Sequence, residues 1–280
     1  MSERRRLWRT FKKNKTALVG SIVVLFVVII AISGPLISPY DPLEQNLFYR
    51  LTPPESSHLF GTDLYGRDVL SRIIWGAQVS LLVGFLSVLI AVIIGTVLGM
   101  VAGYKGGIVD TVIMRMVDVL MSFPVLIMGL VVMALLRGGG LAKLIIAIGL
   151  VMAPRFARLA YGPTLVIKEK DFIDAARAIG VSGFRIIVRH VLPNIFGEIL
   201  VMATLWIGTA IRIEANLSFI GLGVSPPTPT WGNMIRSGID QLWNAPWLSI
   251  FPGLALLIAI LSFNMVGDGI RDITDPKLQV

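Results

Sequence analysis

The sequence predicts an all-α integral membrane protein with six transmembrane helices and both termini in the cytoplasm. Hydrophobic residues make up 55% of the chain and charged residues only 15%, whereas soluble domains are about a quarter charged. The mean hydropathy of +0.80 agrees with this composition. Six long apolar runs and an uneven distribution of Lys and Arg are the other two observations that predict this fold class.

Each of the six apolar runs is close to the roughly 20 residues that an α-helix needs to cross a bilayer. They cover residues 17–37, 79–103, 113–136, 141–160, 199–219 and 248–266. The first run follows the basic sequence MSERRRLWRTFKKNK, as in a secretory signal, but it lacks a small-residue cleavage site, which favours a retained helix. The predicted division is a basic tail at 1–16, a first helix at 17–38, an external loop at 39–76, a core of five helices at 77–269 and a second tail at 270–280.

Lys and Arg are concentrated in alternate segments between these runs. With a cytoplasmic N-terminus, 18 of the 25 basic residues fall on inner segments and six on outer ones, while Arg212 lies within the fifth run. Cytoplasmic loops of membrane proteins carry such an excess, so both termini are predicted to be cytoplasmic. The net charge of +8 has the same origin. No basic stripe with interleaved aromatic residues indicates nucleic-acid binding.

Several kinds of chemistry lack the residues that they need. The chain has no cysteine, which excludes disulfides, thiol catalysis and thiolate metal sites. It has no G-x-x-x-x-G-K-[ST] phosphate loop, no H-E-x-x-H and no nucleophile elbow, and its two histidines, His58 and His190, are far apart in the sequence. We therefore expect no catalytic site, no metal site and no cofactor bound by this chain itself.

The polar segment 161–195, between the fourth and fifth runs, is predicted to hold two short helices on the cytoplasmic side. Asp171 can cap the first, with Asp174 three residues later, and Gly180 can end it. Ser182 can cap the second, which Pro193 is expected to end. Their expected apolar faces contain Phe172, Ile173, Ala176 and Ile179, and then Phe184, Ile187, Val188 and Val191. Helices of about ten residues are unstable alone in water, so these pack on this chain or on a partner, and a connector at the lipid headgroups is equally compatible with the spacing.

The sequence DAARAIGVSGFRIIVRHVLPN in this segment resembles the EAA loop of ABC importer permeases. That pattern is E-A-A, three residues, G, nine residues, I, one residue and L-P. Two positions depart from it, because Asp174 replaces Glu and His190 replaces Ile. Three further segments, 58–84, 218–235 and 252–276, are similar to the dipeptide, oligopeptide and nickel branch of this family, in particular to its second permease, the C subunit.

This resemblance implies a type I ABC importer permease in the bacterial inner or plasma membrane, which forms a translocation pathway for di- or oligopeptides with a second, homologous permease. It also implies two cytoplasmic ATPases that bind ATP and Mg²⁺, and an external solute-binding protein. Nickel chelate, glutathione and an oligosaccharide are alternative cargoes, and a membrane receptor or a channel without an ATPase is the alternative of another class. The residues implied in ATPase coupling are Asp174, Ala175, Ala176, Arg177, Gly180, Arg185, His190, Leu192 and Pro193.

Charged residues inside the spans are costly, and they mark functional positions or ion pairs. Arg115 and Asp118 are three residues apart on one helix face, and we expect a structural ion pair there. Arg212 and Glu214 are two residues apart and do not share a face. Glu214, four residues before Ser218, is a candidate for an outer gate or for an acid that the second permease satisfies. Arg212, Glu214 and Ser218 are therefore the candidate residues of the translocation pathway or its gate.

Glycines predict two further features of the helices. Gly95, Gly99 and Gly103 repeat every four residues and predict a smooth face for close helix packing. Gly221 and Gly223 follow the fifth run and can end its helix.

Overall fold

The computed structural model describes residues 14–137 and 139–274, so most of the two predicted tails lies outside the described residues. Within these ranges the regular structure is helical, and the only strand-like feature is an isolated bridge between Thr62 and Asp68. Five described helices are long and apolar enough to cross a membrane, or six if one bent pair counts as a single span. The prediction of an all-α, multi-span membrane protein is confirmed.

The first helix, α1, covers Lys15–Ile37 and agrees with the first apolar run. It begins after Asn14, whose side-chain oxygen accepts a hydrogen bond from the backbone N–H of Ala17 at 3.1 Å. It ends before Ser38, which has an extended backbone. The next residue is Pro39, and a residue before proline is disfavoured in the helical region.

The second helix, α2, covers Val69–Lys105 and begins ten residues before the predicted span. Asp68 accounts for this early start, since its Oδ2 accepts hydrogen bonds from the backbone N–H and the hydroxyl of Ser71, both at 2.7 Å. In the first turn, the buried Arg72 lies 3.6 Å from Asp63 and donates to the carbonyl of Pro42 at 2.8 Å. Buried charges thus fix the preceding loop to the start of α2.

The third apolar run forms two helices instead of one, and that they make up the predicted sixth span together stays a prediction. It forms α3, Gly107–Ser122, and α4, Val125–Leu135, which are bent by 106°. Pro124 explains the break, because proline lacks a backbone N–H and disfavours a helical conformation at the residue before it. That residue, Phe123, has φ −83° and ψ 141°.

The remaining helices follow in chain order. Helix α5 contains two prolines, Pro154 and Pro163, and is nevertheless continuous. A π turn connects α7 to α8 without a break. The bounds are Leu141–Lys168 for α5, Asp171–Ala178 for α6, Gly183–Ile186 for α7, Ile187–Val191 for the π turn, Leu192–Ile220 for α8, Trp231–Ile239 for α9 and Trp247–Thr274 for α10.

The chain divides into two compact units, of which the first combines residues 1–85, 133–145 and 204–280. Its core surrounds Trp231, which is 2% exposed and whose Nε1 donates to the carbonyl of Ile73 at 3.1 Å. In this unit α1 lies against α10, and a Cβ added at Gly20 would lie 2.7 Å from the Cβ of Met265. Helix α8 ends where Gly221 adopts a positive φ of +96°, as predicted.

The second unit combines residues 86–132 and 146–203 and contains the glycine face of α2. A Cβ at Gly95 would meet the carbonyl oxygen of Ala153, and one at Gly99 would meet that of Ala157. A Cβ at Gly103 would lie 3.0 Å from Thr164. The predicted close packing along this face is confirmed, and its partner is α5.

Candidate functional site

Helix α6 is the first helix of the polar segment 161–195, and its start differs from the prediction. Asp171 is the first helical residue, whereas the cap position belongs to Lys170, which makes no side-chain capping bond. The prediction that Asp171 caps α6 is therefore wrong. Asp171 and Asp174 both lie in the first turn, where the positive end of the helix dipole favours acidic side chains.

Gly180 ends this helix as predicted. Its φ of +78° is a left-handed conformation that glycine adopts without steric cost. The N–H of Gly180 donates to the carbonyl of Arg177 at 2.9 Å, and the N–H of Val181 donates to that of Ala176 at 3.0 Å. These two bonds form a Schellman motif, which satisfies the last carbonyls of the helix and sets the direction of the chain towards α7.

Only half of the apolar face predicted for α6 is buried. Ile173 and Ala176 are buried in the second unit, at 0% and 6% exposure. Phe172 and Ile179 are exposed, and Ile179 retains 81% of its accessible surface. The helix thus uses two residues to pack on its own unit and leaves two large apolar side chains uncovered.

The second helix of the segment continues directly into the membrane-spanning helix α8. Ser182 occupies its cap position but makes no side-chain capping bond. Pro193 does not end the helix, and that prediction is wrong. In the π turn the N–H of Leu192 donates to the carbonyl of Ile187, and this wider turn admits the proline ring within a continuous helix.

The second apolar face is also divided between packing and exposure. Ile186, Ile187 and Val191 are buried, whereas Val188 is 45% exposed and Phe184 is 78% exposed. The exposed residues line one recess with three polar side chains. This recess, which we call the 182–189 recess, is lined by Ser182, Phe184, Arg185, Val188 and Arg189.

Arg177 differs from Arg185 and Arg189, because it is held by its own unit. Its guanidinium lies 3.1 Å from the carboxylate of Asp174 and 5.4 Å from the centre of the Tyr104 ring. The hydrogen bond with Tyr104 raises the pKa of Arg177 above its usual value. Sequence reasoning missed Tyr104, whose only local signal is an aromatic residue at the polar end of α2.

The other residues expected in coupling are placed along the same segment. Ala175 is exposed on α6, and Pro193 is exposed at the start of α8. Leu192 and His190 are half-buried. The ring of His190 lies 6.3 Å from that of Phe172, so the residue that departs from the EAA pattern lies close to the first short helix.

Asp118 does not pair with Arg115, and that prediction is wrong. Asp118 pairs with Arg158 of α5 in the second unit, and among the described residues no ion pair joins it to Arg115. Both paired side chains are partly exposed, at 57% for Asp118 and 42% for Arg158. The pair connects α3 to α5, two helices that are 40 residues apart in the chain at this point.

Glu214 is fully buried in the first unit and is satisfied by hydroxyl groups of this chain. Its Oε1 accepts from Ser218 at 2.7 Å, and its Oε2 accepts from Ser80 at 3.1 Å. The structure therefore brings together two of the predicted pathway residues, Glu214 and Ser218. It also connects α8 to α2 through Ser80, which the sequence did not single out.

Arg212 lies on a different side of α8 and is exposed. Its two neighbours along the chain, Ile211 and Ile213, are buried. Arg212 is therefore not brought together with Glu214, in agreement with their spacing of two residues.

Two family models match the chain. Residues 95–280 match the model described as "Binding-protein-dependent transport system inner membrane component". Residues 2–54 match the model described as "N-terminal TM domain of oligopeptide transport permease C". The first match contains the polar segment 161–195 and all helices from α3 to α10. The second match contains α1.

Two curated relatives are similar over nearly the whole chain. The glutathione transport system permease protein GsiD of Escherichia coli O6:K15:H31 (strain 536) is 43% identical over 273 residues, which cover 97% of this chain and 90% of that protein. The dipeptide transport system permease protein DppC of Alkalihalophilus pseudofirmus is 42% identical over 275 residues, which cover 98% of this chain and 90% of that protein.

Among solved structures, a chain of the MetNI methionine ABC transporter in an inward-facing conformation has the same fold. Its TM-score is 0.58 at 20% identity, with coverage of 73% of this chain and 97% of that chain.

Proposed function

Because the chain belongs to the family of binding-protein-dependent transport system inner membrane components, we propose that it forms the translocation pathway of an ATP-driven importer together with a second, distinct permease. The resemblance to the dipeptide and oligopeptide branch of ABC importer permeases is confirmed. The chain is thus a permease subunit of the inner membrane. Its orientation with both termini in the cytoplasm is part of the proposal and rests on the distribution of Lys and Arg.

In this proposal the segment 161–195 transmits the motion of two cytoplasmic ATPases, which bind ATP and Mg²⁺. The continuity of α7 with α8 through the π turn is the observation that carries it. A partner that pulls on α7 displaces the end of a membrane span directly, without an intervening flexible loop. Gly180 fixes the direction between α6 and α7, while Leu192 and Pro193 form the junction with the span.

The ATPase would bind to the exposed apolar residues of this segment. Phe184 and Ile179 are large apolar side chains with little cover from their own unit, and exposed apolar surface is typical of protein interfaces. Arg185 and Arg189 line the same recess as Phe184 and give it positive charge, which favours an acidic partner surface. Asp174 and Ala175, both exposed on α6, extend the same interface.

Peptides are the proposed cargo, delivered by an external solute-binding protein. The names of the two relatives support peptide-like cargo, since one is a dipeptide permease and the other a glutathione permease. Glutathione is accordingly the second candidate. Arg212, Glu214 and Ser218 are proposed to lie along or at the gate of the pathway, with Glu214 and Ser218 holding the end of α8.

Co-purification from detergent tests the coupling proposal. The chain is co-expressed with the permease, the ATPases and the binding protein encoded alongside it, and the ATPase recovered with each variant is quantified. We expect Phe184→Asp to reduce the recovered ATPase by about tenfold, because a buried, unpaired carboxylate is costly at an interface. The matched control is Phe48→Asp, since Phe48 is 98% exposed in the loop before α2. Recovery of the wild-type chain without any ATPase would instead support a receptor or a channel.

Calorimetric titration of the binding protein tests the cargo. We expect it to bind di- or oligopeptides more tightly than glutathione and to show no affinity for a nickel chelate. Tight and selective binding of glutathione would assign the importer to the second candidate cargo.

A further inference from the structure

Arg212 is a charged side chain on the uncovered surface of a membrane-spanning helix. It lies eight residues before the end of α8 at Ile220, which is about 12 Å along the helix axis. An arginine remains protonated in proteins, and a charge facing hydrocarbon at such a depth is costly. The exposed surface around Arg212 must therefore face water or another protein rather than lipid.

The described part of the chain does not supply a partner for this charge. Its ion pairs involve other residues, and none includes Arg212. The nearest acid in sequence, Glu214, is buried on another side of α8 and is bonded to Ser80 and Ser218. Arg212 thus retains its full capacity to donate hydrogen bonds to a group from outside this chain.

Two polar residues extend the same face of α8. Thr209 is three residues before Arg212 and Asn216 is four residues after it, and these spacings place all three on one side of a helix. Both are partly exposed. A stripe of hydroxyl, guanidinium and carboxamide groups is unsuited to lipid and suited to a hydrated passage that recognises a polar solute.

Helix geometry directs the start of the Arg212 side chain away from the nearer end of α8. Side chains in a helix tilt towards its N-terminus, and the nearer end of α8 is its C-terminus at Ile220. Arg212 therefore points away from that end and towards the interior of the span.

We propose that Arg212, flanked by Thr209 and Asn216, binds a carboxylate of the cargo inside the translocation pathway. The proposal rests on the proposed function and adds a chemical class of ligand to it. A guanidinium binds a carboxylate through two parallel hydrogen bonds, and dipeptides and glutathione all carry at least one carboxylate. Because the site is exposed on one helix face, the carboxylate remains accessible to water, which allows the release that transport requires.

Cysteine labelling tests whether the site lies in a hydrated passage. The chain contains no natural cysteine, so Arg212→Cys introduces the single reactive thiol of this subunit. The variant is assembled with the second permease, the ATPases and the binding protein in proteoliposomes, and treated with trimethylammonium-ethyl methanethiosulfonate. We expect rapid labelling at Arg212→Cys and slow labelling at Leu257→Cys, a matched control on α10 where the native residue is 50% exposed.

Restoration of charge tests the ligand class, with radiolabelled alanylalanine and glutathione as probes. We expect Arg212→Gln to lower uptake about tenfold or more, as for the loss of a charge-assisted hydrogen bond. Arg212→Lys should retain at least a third of wild-type uptake. In Arg212→Cys, the cationic reagent should restore uptake several-fold, whereas the anionic sulfonatoethyl reagent should not.

Each contrary outcome overturns the proposal. Loss of the second permease from the purified Arg212→Gln complex would identify an ion pair between subunits instead. Equal labelling of Arg212→Cys and Leu257→Cys, or uptake that does not depend on the charge at this position, would also exclude a carboxylate site. Absence of uptake by the wild-type complex would instead contradict the proposed function, so the two failures are distinguishable.

Discussion

The backbone N–H of Val181 donates to the carbonyl oxygen of Ala176 at 3.0 Å, and this bond closes the turn in which Gly180 has a φ of +78°. The residues on either side of this turn, Ile173 and Ile186, are both fully buried in the second unit. One left-handed residue therefore determines how α6 and α7 can pack at the same time. If the segment couples ATP hydrolysis to transport, its geometry depends on this position.

Replacement of Gly180 by valine is expected to abolish uptake and to uncouple ATP hydrolysis, while the chain still inserts into the membrane. A left-handed conformation costs an L-residue about 1–2 kcal/mol, and a β-branched side chain is the least suited to it. No atom lies within 4 Å of a Cβ built at Gly180, so the effect arises from the backbone and not from a clash. Uptake and ATP hydrolysis are measured in parallel in proteoliposomes.

Two variants control this experiment. Gly180→Asn should retain most of the activity, because asparagine adopts the left-handed conformation more readily. Gly197→Val should be close to wild type, since Gly197 lies within α8 and has open space around it. Normal uptake by Gly180→Val would refute a coupling role for the turn.

Substitution of Gly99 by alanine is expected to destabilise the second unit. The added Cβ would meet the backbone carbonyl of Ala157, which cannot move without displacing α5. Overpacking of this kind costs about 1–3 kcal/mol.

The matched control is Gly162→Ala on α5, where the added Cβ meets no atom within 4 Å. This variant should be neutral or more stable than the wild type by up to about 1 kcal/mol, because alanine is a better helix former than glycine. Unfolding in detergent distinguishes the two, and equal stability of both variants would contradict the close packing.

The features that the sequence predicted well are those with a local cause. Apolar runs located the spans because bilayer thickness fixes their length. Gly180 and Gly221 were identified as helix ends because helices commonly end at a glycine in the left-handed conformation, and both residues have a positive φ. The glycine face of α2 followed from a repeat of four residues, although the sequence could not identify α5 as its partner.

The features that it missed depend on geometry between distant residues or on a departure from α-helical geometry. Asp118 has a possible partner three residues away, but its actual partner, Arg158, lies 40 residues away. Pro193 was expected to end a helix because an α-helical turn was assumed, whereas the π turn before it accommodates the ring. At Pro124 the error was the reverse. One continuous helix was expected from the apolar run, whereas the structure has two helices bent by 106°.

A double-mutant cycle is expected to show coupling between Asp118 and Arg158 and none between Asp118 and Arg115. The free energies of unfolding of Asp118→Asn, Arg158→Gln and the double variant should give a coupling energy of about 0.2–1 kcal/mol, the range for exposed ion pairs. The corresponding cycle with Arg115→Gln should be additive, because Asp118 is already paired across to α5. A larger coupling energy in the Arg115 cycle would restore the original prediction of an ion pair within α3.

Glu214 is expected to be needed for both stability and transport, and its amide and alanine variants separate the two. Glu214→Ala removes the acceptor of Ser80 and Ser218, and a buried polar group left without a partner costs about 1–3 kcal/mol. Glu214→Gln keeps the volume and one acceptor oxygen, so it should unfold close to the wild-type temperature. It should nevertheless lower uptake, because its amide nitrogen donates instead of accepting, and one of the two hydroxyl groups at the end of α8 must reverse the direction of its hydrogen bond. Ser218→Ala, which removes one of the same two bonds, should reproduce the loss of uptake.

Wild-type uptake by Glu214→Gln together with reduced stability of Glu214→Ala would assign Glu214 a purely structural role and remove it from the gate.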